Sequence, residues 1–206
     1  MQRITRAWLP AGEDDLATAV SLARRALSAD DGDTINIVLG GFTLVMLKQY
    51  YAIGLEAVRR AVHVNPGSGF VNAMAGCALI FGDDPEAGLG HVERAMALAP
   101  LDPSFFSHLT VAGYAQLSCG RVDLAAELAE RSLALNSQWD STYWVLIAAY
   151  TQLDRLSEAK TIATRLMTLL PKATVPKYGK SLPIRNAQSL EMVLNGFQQA
   201  GLPIGD

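Results

Sequence analysis

A short motif returns along this chain at an almost constant interval, and that interval leaves few folds open. The motif is a small residue, then a short apolar stretch, then a turn. It reads RRALSADD at 24–31, RRAVHVNP at 59–66, ERAMALAP at 93–100 and ERSLALNS at 130–137, with a fainter TRLMTLLP at 164–171. The aligned positions Ala26, Ala61, Ala95, Ser132 and Leu166 are separated by 35, 34, 37 and 34 residues. A repeat of this length holds one supersecondary unit that cannot bury its apolar face alone. Stacked neighbours share one continuous core instead.

The pattern inside each unit is helical. In 122–135, apolar residues recur three and four positions apart, while Asp123, Glu127, Glu130 and Arg131 can face water. Small residues are expected where two helices cross, because larger side chains hold the backbones apart. Gly76, Gly113, Gly120, Ala125 and Ala159 stand at those offsets or in the tight turns, whereas Ile147 replaces a small residue. Proline or Asn-Ser ends the second helix of a unit. The unit ending at Pro66 carries one extra residue, expected in the turn at 48–51.

The resulting expectation is an all-α solenoid of four to five helix pairs with a C-terminal capping helix, in a single repeat domain over 1–206. A partial unit covers 1–31, with a helix at 14–29. Full units follow at about 32–66, 67–100, 101–137 and 138–171. Their helical pairs span 33–64, 68–99, 103–135 and 141–170. Residues 171–184 read as a proline-punctuated loop, and 185–200 as the cap, stopped by Gly201 and Pro203.

Composition agrees and removes several function classes. Half of the 206 residues are apolar and 18% are charged, as in a globular chain. The net charge of −3 gives no basic field for nucleic acid. The start, MQRITRAWLP, lacks the apolar run of a signal peptide. The most apolar stretch, INIVLGGFTLVML at 35–47, stops at Lys48, short of the ~20 residues that a membrane helix needs. A soluble, cytoplasmic protein with no membrane partner is the expectation.

The period and its small residues resemble the tetratricopeptide family, whose units repeat at about 34 residues. The stretch ERAMALAPLDPSFF, then AQLSCGRVDLAAELAERSLALN, and the ending FQQAGLP resemble a narrower group. These are repeat regions of bacterial signalling proteins, where they follow a class III adenylate or guanylate cyclase domain or a winged-helix domain. Residues 98–106 and 196–203 carry most of that likeness. The chain itself holds neither domain, so it reads either as a fragment of a longer polypeptide or as a free-standing relative. The half unit at the start favours a fragment, with 3–10 and Trp8 as the remnant of a helix pairing with 14–29.

A search for chemistry returns little. His63, His91 and His108 have no ligand at a zinc spacing. Cys77 and Cys119 sit in apolar helical stretches and read as small hydrophobes. Arg121 lies two residues after Cys119, and a basic neighbour of this kind can lower a thiol pKa. Gly40 and Gly41 lack the lysine and hydroxyl of a phosphate-binding loop. Gly67-Ser68-Gly69 lacks the frame of a nucleophile elbow, and Ser68 reads as a helix N-cap. Asp30, Asp31 and Asp33 lack the twelfth-position glutamate of a calcium loop. Lys172, Lys177, Lys180 and Arg185 form a basic loop, solvated or touching an acidic partner. Catalytic residues, metal ligands and cofactors are not expected, and the chain is not read as an enzyme.

In tetratricopeptide stacks the first helix of each pair lines the concave, ligand-binding surface. Mapping that face by register gives Phe70, Ala73, Cys77 and Phe81. The next unit gives Ser107, Thr110, Tyr114 and Leu117, and the last gives Ser141, Trp144, Ala148 and Gln152. The face is apolar and aromatic, and some of its members, Phe81 and Trp144 above all, could instead pack between units. It lacks the lysine, asparagine and arginine that grip chaperone tails in this family. An apolar peptide, an amphipathic helix or the terminal helix of a second copy fits better. The expected function is a protein-interaction module, regulatory within a signalling protein. The alternative is a homodimerisation segment that spaces output domains.

Overall fold

The computed structural model describes residues 13–28, 33–48 and 50–205. Among them the regular structure is entirely helical. The helices are α1 (Glu13–Ser28), α2 (Thr34–Met46), α3 (Tyr51–Val64), α4 (Gly69–Phe81), α5 (Pro85–Leu98) and α6 (Phe105–Ser118). Then come α7 (Val122–Leu135), α8 (Asp140–Gln152), α9 (Leu156–Leu169), α10 (Val175–Ser181) and α11 (Ala187–Gln199). The expected remnant at 3–10 and the acidic pair Asp30 and Asp31 lie outside the described residues.

The chain divides into two compact units. The N-terminal unit runs to Asp102 and also takes in residues 183–186. Its helices pack α1 on α2, α2 on α3, both of these on α4, and α4 on α5. The C-terminal unit holds 103–182 and the chain from Ala187 onward. There α6 packs on α7 and α8, α8 on α7 and α9, and α11 on α8, α9 and α10.

The repeat register explains this order. Ala61, Ala95, Ser132 and Leu166, the aligned positions of successive second helices, are each at most 1% exposed. Crossings within the first pairs are backbone against backbone. A Cβ on Gly76 would sit 2.7 Å from Gly88 O, and one on Gly41 would sit 2.7 Å from Gly54 O. No side chain fits there without moving a helix.

Local signals start and stop the helices. Asp33 Oδ1 accepts from Ile35 N at 2.8 Å, and Ser68 Oγ accepts from Val71 N at 3.2 Å, as the cap reading of Ser68 requires. Each such cap contributes ~1 kcal/mol. Three of the turns inside pairs share one closure. A residue with φ of 82° (Asp83), 75° (Gly120) or 57° (Asp154) follows the first helix. The next N–H then reaches back five residues, Asp84 to Leu79 O, Arg121 to Gln116 O and Arg155 to Tyr150 O, each at 2.9 Å. The turn between α2 and α3 differs. It is one residue longer, and Lys48 and Tyr50 are both left-handed. That is where the extra residue was expected.

Two expectations need correction. Residues 171–184 are not all loop. Thr174 Oγ1 accepts from Lys177 N at 3.4 Å, Pro176 fits the first turn, and α10 follows. The terminal helix starts at Ala187 rather than at Arg185, because the Arg185 N–H donates to Phe81 O at 3.0 Å, outside any helical turn.

Candidate functional site

On α4, the positions mapped to the concave face part company. Phe70, in the first turn, is 46% exposed, whereas Ala73, Cys77 and Phe81 are buried. Burial pushes the Cys77 thiol up to about 12, so it stays protonated and unreactive near neutral pH. Cys119 is half-buried, and the two cysteines are not joined.

On α6, Ser107 is half-buried and its Oγ donates to Ser104 O at 2.7 Å. Thr110, Tyr114 and Leu117 are buried. Thr110 Oγ1 lies 2.8 Å from both Ser132 Oγ and Thr142 Oγ1, and those two are 3.0 Å apart. Ser132 Oγ also donates to Phe106 O at 2.7 Å. This closed hydroxyl triangle ties α6, α7 and α8 together and uses its own polar capacity internally. The sequence signal for it was Ser132, a hydroxyl where the other units carry alanine or leucine.

On α8, Trp144 and Ala148 are buried, Ser141 is half-buried and Gln152 is exposed. The Trp144 ring meets Tyr114 edge to face, with centroids 4.9 Å apart. Below Trp144, Ala148 and Thr151 continue the same helix face, and α11 lies against it. A Cβ on Gly196 of α11 would sit 2.7 Å from Thr151 Oγ1 and 3.3 Å from Ala148 Cα. Phe197 beside Gly196 is fully buried, 4.8 Å from the Tyr178 ring of α10. The chain's own terminal helix therefore covers this part of α8.

Of the twelve positions mapped to this face, Ala73, Cys77, Phe81, Thr110, Tyr114, Leu117, Trp144 and Ala148 are buried, Ser107 and Ser141 are half-buried, and only Phe70 and Gln152 are exposed, so Phe81 and Trp144 take the packed alternative. Sequence reasoning missed a neighbouring strip. Ile35 and Leu39 on α2 are 37% and 39% exposed, one turn apart on one face. Ile35 stands 35 residues before Phe70, the interval that also separates Gly41 from Gly76 on the same helices, so the two occupy equivalent positions on packed helices. The signal was present in the run INIVL, weighed in the sequence only against a membrane helix.

The other candidates resolve into structural roles. His91 Nδ1 is 3.0 Å from Asn72 Oδ1, and its pKa is lowered by partial burial and then by Arg94. Asn72 Nδ2 donates to Pro66 O at 3.0 Å, a carbonyl that Arg94 Nε also reaches at 2.9 Å. His63 is exposed and His108 buried. Asp33 is the α2 cap. Of the basic loop, Lys172 and Lys180 are exposed, and Lys177 Nζ donates to Lys172 O at 2.9 Å. Arg185 Nη1 donates to Gly82 O at 3.5 Å. Among the described residues no group of three or more His, Cys, Asp or Glu could hold a metal, and no helix is long and apolar enough to cross a membrane.

Comparison with protein families finds no match, and comparison with curated proteins finds none. Solved structures do match. PilW, described as a widely conserved type IV pilus biogenesis factor, superposes with a TM-score of 0.69 at 19% identity, over 91% of this chain and 82% of its own. MamA superposes with a TM-score of 0.58 at 20% identity, over 77% of this chain and 91% of its own. A chain of the APC/C hetero-tetramer Cut9–Hcn1 gives a TM-score of 0.67 at 12% identity, over 89% of this chain and 34% of its own. At these identities the likeness concerns the fold alone, and the fold of this chain is all-α, of the tetratricopeptide-type helical repeat.

Proposed function

We propose that this chain is a protein-interaction module, without catalytic chemistry of its own. It takes an apolar peptide, or the apolar face of an amphipathic helix, on the strip formed by Ile35, Leu39 and Phe70. The strip carries the reading. Three large apolar side chains stand 37%, 39% and 46% exposed on two packed helices, Ile35 and Phe70 at equivalent repeat positions and Leu39 one turn from Ile35. Clustered exposed apolar residues mark interaction surfaces, and an aromatic among them is a natural anchor. Helix-in-groove recognition uses this residue chemistry. The resemblance of 98–106 and 196–203 to repeats joined to cyclase or winged-helix domains supports a regulatory place in a cytoplasmic bacterial signalling protein.

The test is affinity capture from lysate with the intact chain, beside Phe70→Asp. Phe70 is exposed, so the variant should keep its melting temperature while losing the captured protein. Capture of the same protein by both chains would overturn the assignment to this strip. A wild-type chain that captures nothing and scatters light as a dimer, while Phe70→Asp is monomeric, would assign the strip to self-association.

A further inference from the structure

Residues 183–186, Pro-Ile-Arg-Asn, lie outside any helix and belong by their contacts to the N-terminal unit. Ile184 is 4% exposed. Arg185 N–H donates to Phe81 O at 3.0 Å, and its guanidinium donates to Gly82 O at 3.5 Å and stands 5.3 Å from the Tyr51 ring centroid. Tyr51 OH donates to Pro183 O at 3.2 Å, and Asn186 Nδ2 donates to Asp83 Oδ1 at 3.0 Å. The acceptors cluster at the C-terminal end of α4. A helix leaves its last carbonyls without intrahelical donors there, and its dipole favours a cation. The slot so formed has an apolar seat, a cation site between a carbonyl and an aromatic ring, one main-chain acceptor, Phe81 O, and one hydroxyl donor, Tyr51 OH.

We infer that this slot is a recognition site for an extended partner segment with an apolar residue directly before an arginine, and that 183–186 is its occupant within this chain. The inference rests on the reading as an interaction module but uses a surface other than the Phe70 strip, so either can fail alone. The occupant has one main-chain donor bond to the slot and no helix or strand of its own. Such segments open at lower free energy than the helices they lie on. A tethered segment competes at an effective concentration in the millimolar range. A free peptide therefore meets the slot only when the tethered one is weakened.

The probe is a labelled peptide of residues 181–188, SLPIRNAQ, with a control peptide carrying alanine in place of the arginine. The protein is the full chain, as wild type and as the double variant Ile184→Ala, Arg185→Ala. The double variant should bind the probe about tenfold more tightly than wild type, or better, and should not bind the control. Adding Tyr51→Ala to the double variant should abolish binding. A folded double variant that binds the probe no better than wild type overturns the proposal, as does equal binding of the control. Should the double variant not fold, hydrogen exchange on wild type decides. The Arg185 amide should exchange faster than the interior amides of α4, and equal protection would make the segment an inseparable part of the fold.

Discussion

The two units solve one problem, how two helices of a pair approach, in different ways. The same crossing position recurs as Gly41, Gly76, Gly113 and Ile147 on the first helices, facing Gly54, Gly88, Ala125 and Ala159 on the second. In the N-terminal unit both crossings are glycine on glycine, and a Cβ at Gly41 or Gly76 would stand 2.7 Å from a backbone oxygen. In the C-terminal unit the nearest atom to a Cβ at Gly113 is Ala125 O, at 3.2 Å. At the last crossing the position is filled by Ile147, itself fully buried. Backbone contact holds the first unit's pairs. Side-chain volume, the hydroxyl triangle and α11 hold the second. A repeat register therefore fixes where helices cross, and the residue placed there fixes how close they come.

The sharpest break of this comparison is Ile147→Ala. If side-chain volume holds the last crossing, the variant leaves a cavity and loses about 2–5 kcal/mol in denaturant unfolding. A loss below about 1 kcal/mol would mean that α8 and α9 close up as the glycine crossings do. Next in size is Gly76→Ala. Its Cβ would meet Gly88 O at 2.7 Å and Val92 N at 2.9 Å, both backbone atoms. Overpacking costs about 1–3 kcal/mol, and the better helix propensity of alanine returns about 1. The equivalent Gly113→Ala meets only the looser contact at 3.2 Å. The propensity gain should win there, leaving a stabilisation of about 0.5 kcal/mol. Equal signs for the two alanine variants would erase the distinction between the units.

The crossings were legible in the sequence because they demand small residues at a fixed interval, and Gly76 and Gly113 stand where that interval put them. The Ser68 cap and the longer turn after α2 were legible for the same local reasons. The cover on the mapped face was not. Which face a terminal helix or a tail lies against is set by contacts that do not repeat, so Tyr114 looked as available as Phe70, and Trp144 could be read either way. Residues 183–186 hid across the boundary between an apparent loop and the terminal helix, because their partners, Tyr51 and Phe81, are distant in sequence. The short α10 hid because one cap and one proline are a faint signal beside a 14-residue repeat helix.

A smaller effect, and one confined to the C-terminal unit, follows from Asp140 at the start of α8. It is 9% exposed, and its Oδ1 finds no hydrogen-bond partner. Burial raises its pKa from the ordinary carboxylate value, against the lowering effect of the bonds with Ser141. A carboxyl with a raised folded pKa binds its proton more tightly folded than unfolded. Its contribution is fully present below the unfolded value near 3.8 and is lost as pH rises through the folded value. Asp140→Asn should therefore be more stable than wild type at pH 7, with the advantage shrinking as the pH falls towards 3.8. An advantage that grows on acidification would mean that the carboxylate is stabilised in place.

The smallest expected effects come from the turn that both units share. Asp83, Gly120 and Asp154 hold one left-handed position, but Asp83 Oδ1 is engaged by Asn186 while Asp154 is exposed. A non-glycine residue there carries a steric penalty that glycine avoids, and glycine in turn gives up more unfolded-state entropy. Around Gly120 a Cβ would meet nothing within 4 Å, so the penalty is one of backbone conformation alone. Asp154→Gly should then gain a few tenths of a kcal/mol, and Gly120→Asp should lose about the same. Opposite changes of matched size, read as midpoint shifts at constant slope, would show that the turn is energetically interchangeable between repeats. A larger loss at Gly120 would instead assign its neighbour Arg121, bonded to Gln116, a share in closing the turn.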